Sequence, residues 1–168
     1  DPSSVAWTFN IRGSDVPHTP LALGFAVIAD EGPHLLFLDK RKLPVRTEAY
    51  LTQLADLRAP SSLEGEVVTL ARNGAKIALD PVLAAERLRT LISETGGTVV
   101  KAADPARIPR ATKNSAEIAG ARAAHRRDGA AVAKLLCWLD QQQADSLDEI
   151  AVVSRLEEMR RVTGDETQ

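Results

Sequence analysis

Several things are scarce in this sequence, and each shortage excludes something. A single cysteine, Cys137, leaves no internal disulfide framework and fits a reducing compartment. The formal net charge is only −2, so bulk electrostatics give no case for nucleic acid or an anionic membrane surface. No apolar run approaches the roughly 20 residues that a membrane helix needs. The three histidines, His18, His34 and His125, lie far apart. None has a second His or a carboxylate at the spacing of a metal-binding helix. Gly96-Gly97 lacks the pattern of a phosphate-cradling loop, and no G-x-S-x-G elbow offers an acyl-transfer nucleophile. No signal peptide is recognisable, and the chain opens at Asp1, so it reads as a piece of a longer protein.

What is present suits an α/β domain. The 44% hydrophobic content can fill a core, and 168 residues hold one ordinary domain or a small one plus part of another. Val5, Trp7, Phe9 and Ile11 alternate with smaller or polar residues, which predicts a first strand over 5–11. Leu21 to Ala29 and Leu35 to Leu38 are two further apolar runs separated by Asp30-Glu31-Gly32-Pro33, an expected antiparallel hairpin beside that strand. Asp39-Lys40-Arg41-Lys42 reads as a solvated turn. Thr47 is placed to cap a short helix to Leu54, and Ser61 with Glu64 has capping-box spacing ahead of a helix that stops at Asn73-Gly74. A strand over Lys76–Leu79, a helix over Val82–Glu94 and a strand from Thr98 follow. Together these predict a mixed sheet with flanking helices.

Beyond a proline-punctuated linker, Pro105 to Lys113, the pattern changes. Asn114 and Glu117 have capping-box spacing, and Ile118, Ala121, His125, Val132, Leu135, Leu136 and Leu139 recur at helical intervals. Gly120 and Gly129 interrupt this helix and suggest close approach of another element. Cys137 is expected to pack there rather than react. Arg107, Arg110, Lys113, Arg122, Arg126 and Arg127 are diluted by acids and read as a solvated or inter-domain face. Ser146 and Glu149 predict another cap, with Leu147, Ile150, Val153, Leu156 and Met159 as the apolar stripe of a last helix. These two helices have no sheet of their own.

The polar loop that follows Phe9 carries a cation, an anion and an imidazole: Arg12, Asp15 and His18. Gly13 permits a bend, and Pro17 and Pro20 stiffen the return. Such a loop either closes a structural corner or points polar groups into a cleft, and chemistry alone favours the corner.

The stretch Ala6-Trp7-Thr8-Phe9-Asn10-Ile11-Arg12-Gly13-Ser14-Asp15-Val16 resembles a segment of the long, three-domain Xaa-Pro aminopeptidases. Arg110-Ala111-Thr112-Lys113-Asn114 with Glu117 resembles the K-x-x-K-N-x-x-E motif at the start of that family's catalytic domain, and His125, Asp128-Gly129 and Trp138-Leu139 continue the likeness. The resemblance implies that residues 1–108 are the non-catalytic middle domain, like a creatinase/prolidase N-terminal domain. It implies that residues 109–168 are the first helices of a pita-bread domain truncated before its metal ligands. It implies a cytoplasmic, dimeric parent enzyme with two divalent ions, commonly manganese, that cleaves the bond before a proline in second position. No catalytic or metal residue can then be assigned in this chain. Arg12, Asp15 and His18 are the candidates for a loop lining or bracing the cleft. A histone-chaperone-like protein-binding module, a prolidase and a creatinase are the alternatives.

Overall fold

The computed structural model describes residues 1–143 and 146–165. They form two compact units, Asp1–Thr112 and Lys113–Gln168.

The first unit begins with a correction. Residues 2–8 are not a strand but a helix, α1 (Pro2–Thr8). Asp1 caps it, accepting the Ser3 N–H at 3.1 Å, and Pro2 sits in the first turn where its missing N–H costs nothing. Its exit is fixed as firmly. Asn10 takes a left-handed φ of 49°, the Asn10 N–H donates to Trp7 O at 3.2 Å, and the Ile11 N–H donates to Ala6 O at 2.9 Å. That pair of bonds is a Schellman cap. Val5, Ala6, Phe9 and Ile11 are buried while Trp7 is largely exposed, so the apparent alternation was one face of a helix and its cap.

The expected hairpin is present, shorter than the apolar runs. β1 (Phe25–Val27) pairs antiparallel with β2 (Leu35–Phe37). The second neighbour of β2 is not residues 5–11 but β3 (Asp56–Arg58), which runs parallel to it. Between them lie a 3₁₀ turn at Lys40–Lys42, capped by Asp39, and α2 (Val45–Leu51), which starts after Pro44 rather than at Thr47. Next comes α3 (Leu63–Arg72), preceded by a 3₁₀ turn at Pro60–Ser62; the expected Ser61–Glu64 capping box is not formed, since Ser62 is the cap residue. The helix stops as expected, with Gly74 at φ 79°.

β4 (Lys76–Leu79) and β5 (Thr98–Lys101) pair in parallel, joined by α4 (Glu86–Glu94). This helix starts four residues later than expected. The Asp80 carboxylate accepts the Val82 N–H at 2.8 Å and the Leu83 N–H at 3.3 Å, and so holds a turn where the helix would begin. Asp80 also accepts the Asp104 N–H at 2.9 Å, tying the ends of both strands together. The linker contains a short helix, α5 (Arg107–Ala111). The chain is therefore α/β with flanking helices, as expected, with the strands in a three-stranded mixed sheet, β1-β2-β3, and a two-stranded parallel sheet, β4-β5. One cluster of buried side chains gathers Val5, Phe9, Leu36, Leu51 and Leu57; another joins Phe37, Val67, Leu91 and Ile92 to Ile77 and Val99. Fully burying a side chain such as Leu36, Phe37, Leu51 or Ile92 contributes about 1.5–3 kcal/mol.

The second unit is a helical hairpin of α6 (Ser115–Leu139) and α7 (Glu149–Asp165). The Asn114–Glu117 capping box is formed, with two reciprocal bonds of 2.9 Å. At the next helix the expected cap is displaced: Asp148 accepts the Ala151 N–H at 2.7 Å, while Ser146 turns back to Gln143 O. The buried contacts join Ala131, Leu135 and Met159, with Trp138, Leu139, Val152 and Leu156 packed around them. The apolar stripe expected on α7 is therefore rotated, since Ile150 and Val153 are exposed. Leu136 is exposed as well, and so is Cys137, contrary to expectation. A side chain at Gly120 or Gly129 would meet nothing within 4 Å, so no described element makes the expected close approach.

Candidate functional site

The polar loop between α1 and β1 is held by backbone bonds between its two sides. Its two arms run side by side. The Gly13 N–H donates to Pro20 O at 3.4 Å and the Asp15 N–H to Leu21 O at 3.1 Å. A Cβ on Gly13 would lie 2.8 Å from the Ala22 backbone, so only glycine lets the arms approach this closely.

Asp15 closes the loop from within. Its carboxylate accepts the Leu23 N–H at 2.9 Å and the Lys42 ammonium at 2.8 Å. The Lys42 hydrogen bond, then the Leu23 N–H, hold the carboxyl below the usual aspartate range. Lys42 comes from the 3₁₀ turn whose cap, Asp39, is itself clasped by Arg41; that guanidinium, then the Arg41 backbone N–H, pull Asp39 down to about 2. The run Asp39–Lys42 is a solvated turn that also supplies the loop's brace. Sequence reasoning did not connect Lys42 to Asp15, which lies 27 residues away with no local pattern to signal the pair.

Arg12 and His18 are placed differently. Arg12 is exposed and its Nη1 donates to the carbonyl of its own neighbour, Ile11, at 2.8 Å. His18 is exposed at the loop tip, where the Thr19 N–H donates to Val16 O at 3.2 Å. Pro17 and His18 are the central residues of this turn, and His18 has a φ of 58°. Pro at the first central position and a left-handed second residue define a type II turn, whose second position favours Gly or Asn. The loop thus brings the three sequence candidates into one segment but not into one hydrogen-bonded cluster.

Among the described residues, no three His, Cys, Asp or Glu side chains come together to hold a metal ion. The divalent pair that the family resemblance implies finds no donor set among them. Also among the described residues, no helix is long and apolar enough to cross a membrane.

Comparison with known proteins agrees with this architecture. The family described as the Creatinase/Prolidase N-terminal domain matches residues 1–117. The chain belongs to that family. Its curated relatives include proteins named probable Xaa-Pro aminopeptidase P. The one from Aspergillus clavatus is 31% identical over 93% of this chain and 25% of its own length. The one from Metarhizium acridum is 32% identical over 93% of this chain and 28% of its own length. The creatinase/prolidase fold is shared with an X-prolyl aminopeptidase from Caenorhabditis elegans, described as a cytosolic enzyme with a di-nuclear active site. The two agree with a TM-score of 0.82 and 24% identity over 96% of this chain and 27% of that one. The chain thus spans about a quarter of the length of the relatives it matches. The family match extends past Thr112 to the first turn of α6.

Proposed function

We propose that this chain is the scaffold portion of a metal-dependent Xaa-Pro aminopeptidase, which removes the residue preceding an N-terminal-side proline, and that the 168 residues alone are inactive. The observation that carries this reading is 31% identity over 93% of the chain to a protein named for that activity. The first unit serves as the non-catalytic middle domain, to about residue 108, and the second opens the pita-bread domain. The rest of the parent protein supplies the site, with two divalent ions, manganese by family resemblance. The C. elegans relative supports a cytosolic location, and the resemblance a homodimer. Arg12, Asp15 and His18 belong to a loop that lines or braces the substrate cleft of the assembled enzyme.

The test is release of the N-terminal residue from an Ala-Pro-Ala tripeptide, with and without manganese, by this chain and by its full-length parent. An inert fragment and a manganese-dependent parent are expected. An inert parent would turn the reading toward a protein-binding module. Turnover by the fragment itself would place a catalytic site inside these residues.

A further inference from the structure

The geometry points to a proton-operated latch at the end of the β1–β2 hairpin: the neutral His34 imidazole holds the hairpin shut, and a protonated one releases it.

The latch stands where the backbone ladder fails. The last paired residues are Val27 and Leu35, and carrying that register onward sets Ala29 opposite Pro33. Proline has no N–H to donate, so the two residues cannot exchange a pair of backbone bonds. The Ala29 N–H donates instead to His34 Nδ1 at 3.2 Å. A side chain thus stands in for a backbone acceptor and closes a loop that turns through Gly32 at φ 87°. His34 is also held from β3, since its carbonyl accepts the Asp56 N–H at 2.8 Å. The residue is half-buried at this junction, while Asp30, Glu31, Gly32 and Pro33 are exposed.

One protonation state alone can make the bond. An accepting Nδ1 belongs to the neutral ring with its proton on Nε2, whereas the imidazolium carries an N–H on both nitrogens and accepts nothing. Protonation therefore sets donor against donor, and the Ala29 N–H must turn to water. An imidazole makes that change between about pH 8 and 5. The charged groups on the neighbouring segments are Asp30 and Glu31 in the loop and Asp56 on β3, the last paired with Arg58 at 3.1 Å. β1 carries none. Carboxylates keep their charge over that range, which leaves His34 as the group that titrates there.

The release is selective. β1 is an outer strand of the three-stranded sheet and loses the fastening at its end. The β2–β3 pair keeps its bond, because that one uses the His34 carbonyl and not the ring.

Hydrogen exchange of the full-length parent, followed by mass spectrometry at pH 8 and 5.5 and corrected for the intrinsic rate at each pH, tests the latch. Protection of the Ala29 amide should fall about five- to tenfold at the lower pH, the worth of one hydrogen bond, while β3 keeps its protection. His34→Asn puts an amide oxygen in the place of Nδ1 and has no proton to take up, so its protection should be equal at the two pH values. His34→Ala removes the acceptor and should show low protection at both. Protection across β4 and β5 reports that each variant is folded, and either variant alone suffices, since neither has a ring to titrate. Equal protection of Ala29 at both pH values in the unsubstituted protein overturns the latch. So does a fall in either variant that matches the unsubstituted one.

Discussion

The two units solve the same problem to different degrees. Asp1–Thr112 wraps helices around strands and fully buries Leu36, Phe37, Leu51 and Ile92. Lys113–Gln168 has two longer helices, yet its buried apolar set is Ala131, Leu135 and Met159. Helix length is therefore no measure of stability. A helix draws most of its stability from an apolar face that finds cover, and a pair of helices covers one stripe each. The first three turns of α6 are almost wholly exposed and hold their shape through local means: a complete capping box and several interspersed alanines.

The largest expected effect is in the sheet. Phe37→Ala should destabilise the first unit by about 3–5 kcal/mol, read as a fall in denaturant midpoint. A smaller loss would mean that the cluster can collapse around the missing ring. Leu135→Ala should cost about 2–5 kcal/mol locally. Hydrogen exchange should then show α6 and α7 losing protection while β2 and β4 keep theirs. Equal loss in both units would break the distinction drawn between them.

Glycines sharpen the contrast. A Cβ on Gly97 would lie 2.6 Å from the Ala71 side chain and 2.9 Å from Ile92, so Gly97→Ala should cost about 1–3 kcal/mol. Gly120→Ala in this chain should instead stabilise α6 by up to about 1 kcal/mol, because nothing stands in its way. Thermal melts of the two variants should move in opposite directions.

The smallest effect is on pH. Asp15, Asp39 and Asp80 all lie in the first unit and all have carboxyls held below the usual aspartate range, Asp39 at about 2. Each binds a proton more readily when unfolded. Their contribution is therefore complete above about pH 4 and is lost as the pH falls toward 2. Melting temperature should decline modestly over that window, and Asp39→Asn should flatten part of the slope. All three groups are solvated, which keeps the effect small.

Much of the fold was legible because its signals are local. The strand at Lys76–Leu79 lies where it was expected, and Asn73-Gly74 stops α3 as its chemistry requires. The capping box at Asn114 involves residues three apart, so the sequence contains the whole device. Residues 2–8 misled because a short helix with buried Val5, Ala6 and Phe9 also satisfies a loose alternation with Trp7 and Ile11. The deciding signals were Asp1-Pro2 as a start and Asn10 as a left-handed stop. At the loop, the three polar candidates were legible as types. Their arrangement depended on Lys42 and on backbone bonds across the arms, which no spacing rule encodes.

One contact joins segments far apart in sequence. The Asp1 carboxylate that caps α1 also receives the Arg110 guanidinium at 2.8 Å, although 109 residues separate them. The ion pair therefore fastens the start of α1 to α5 across the whole of the body between them. In this sense it is a hasp: two distant segments are held at one point while the interior stays closed.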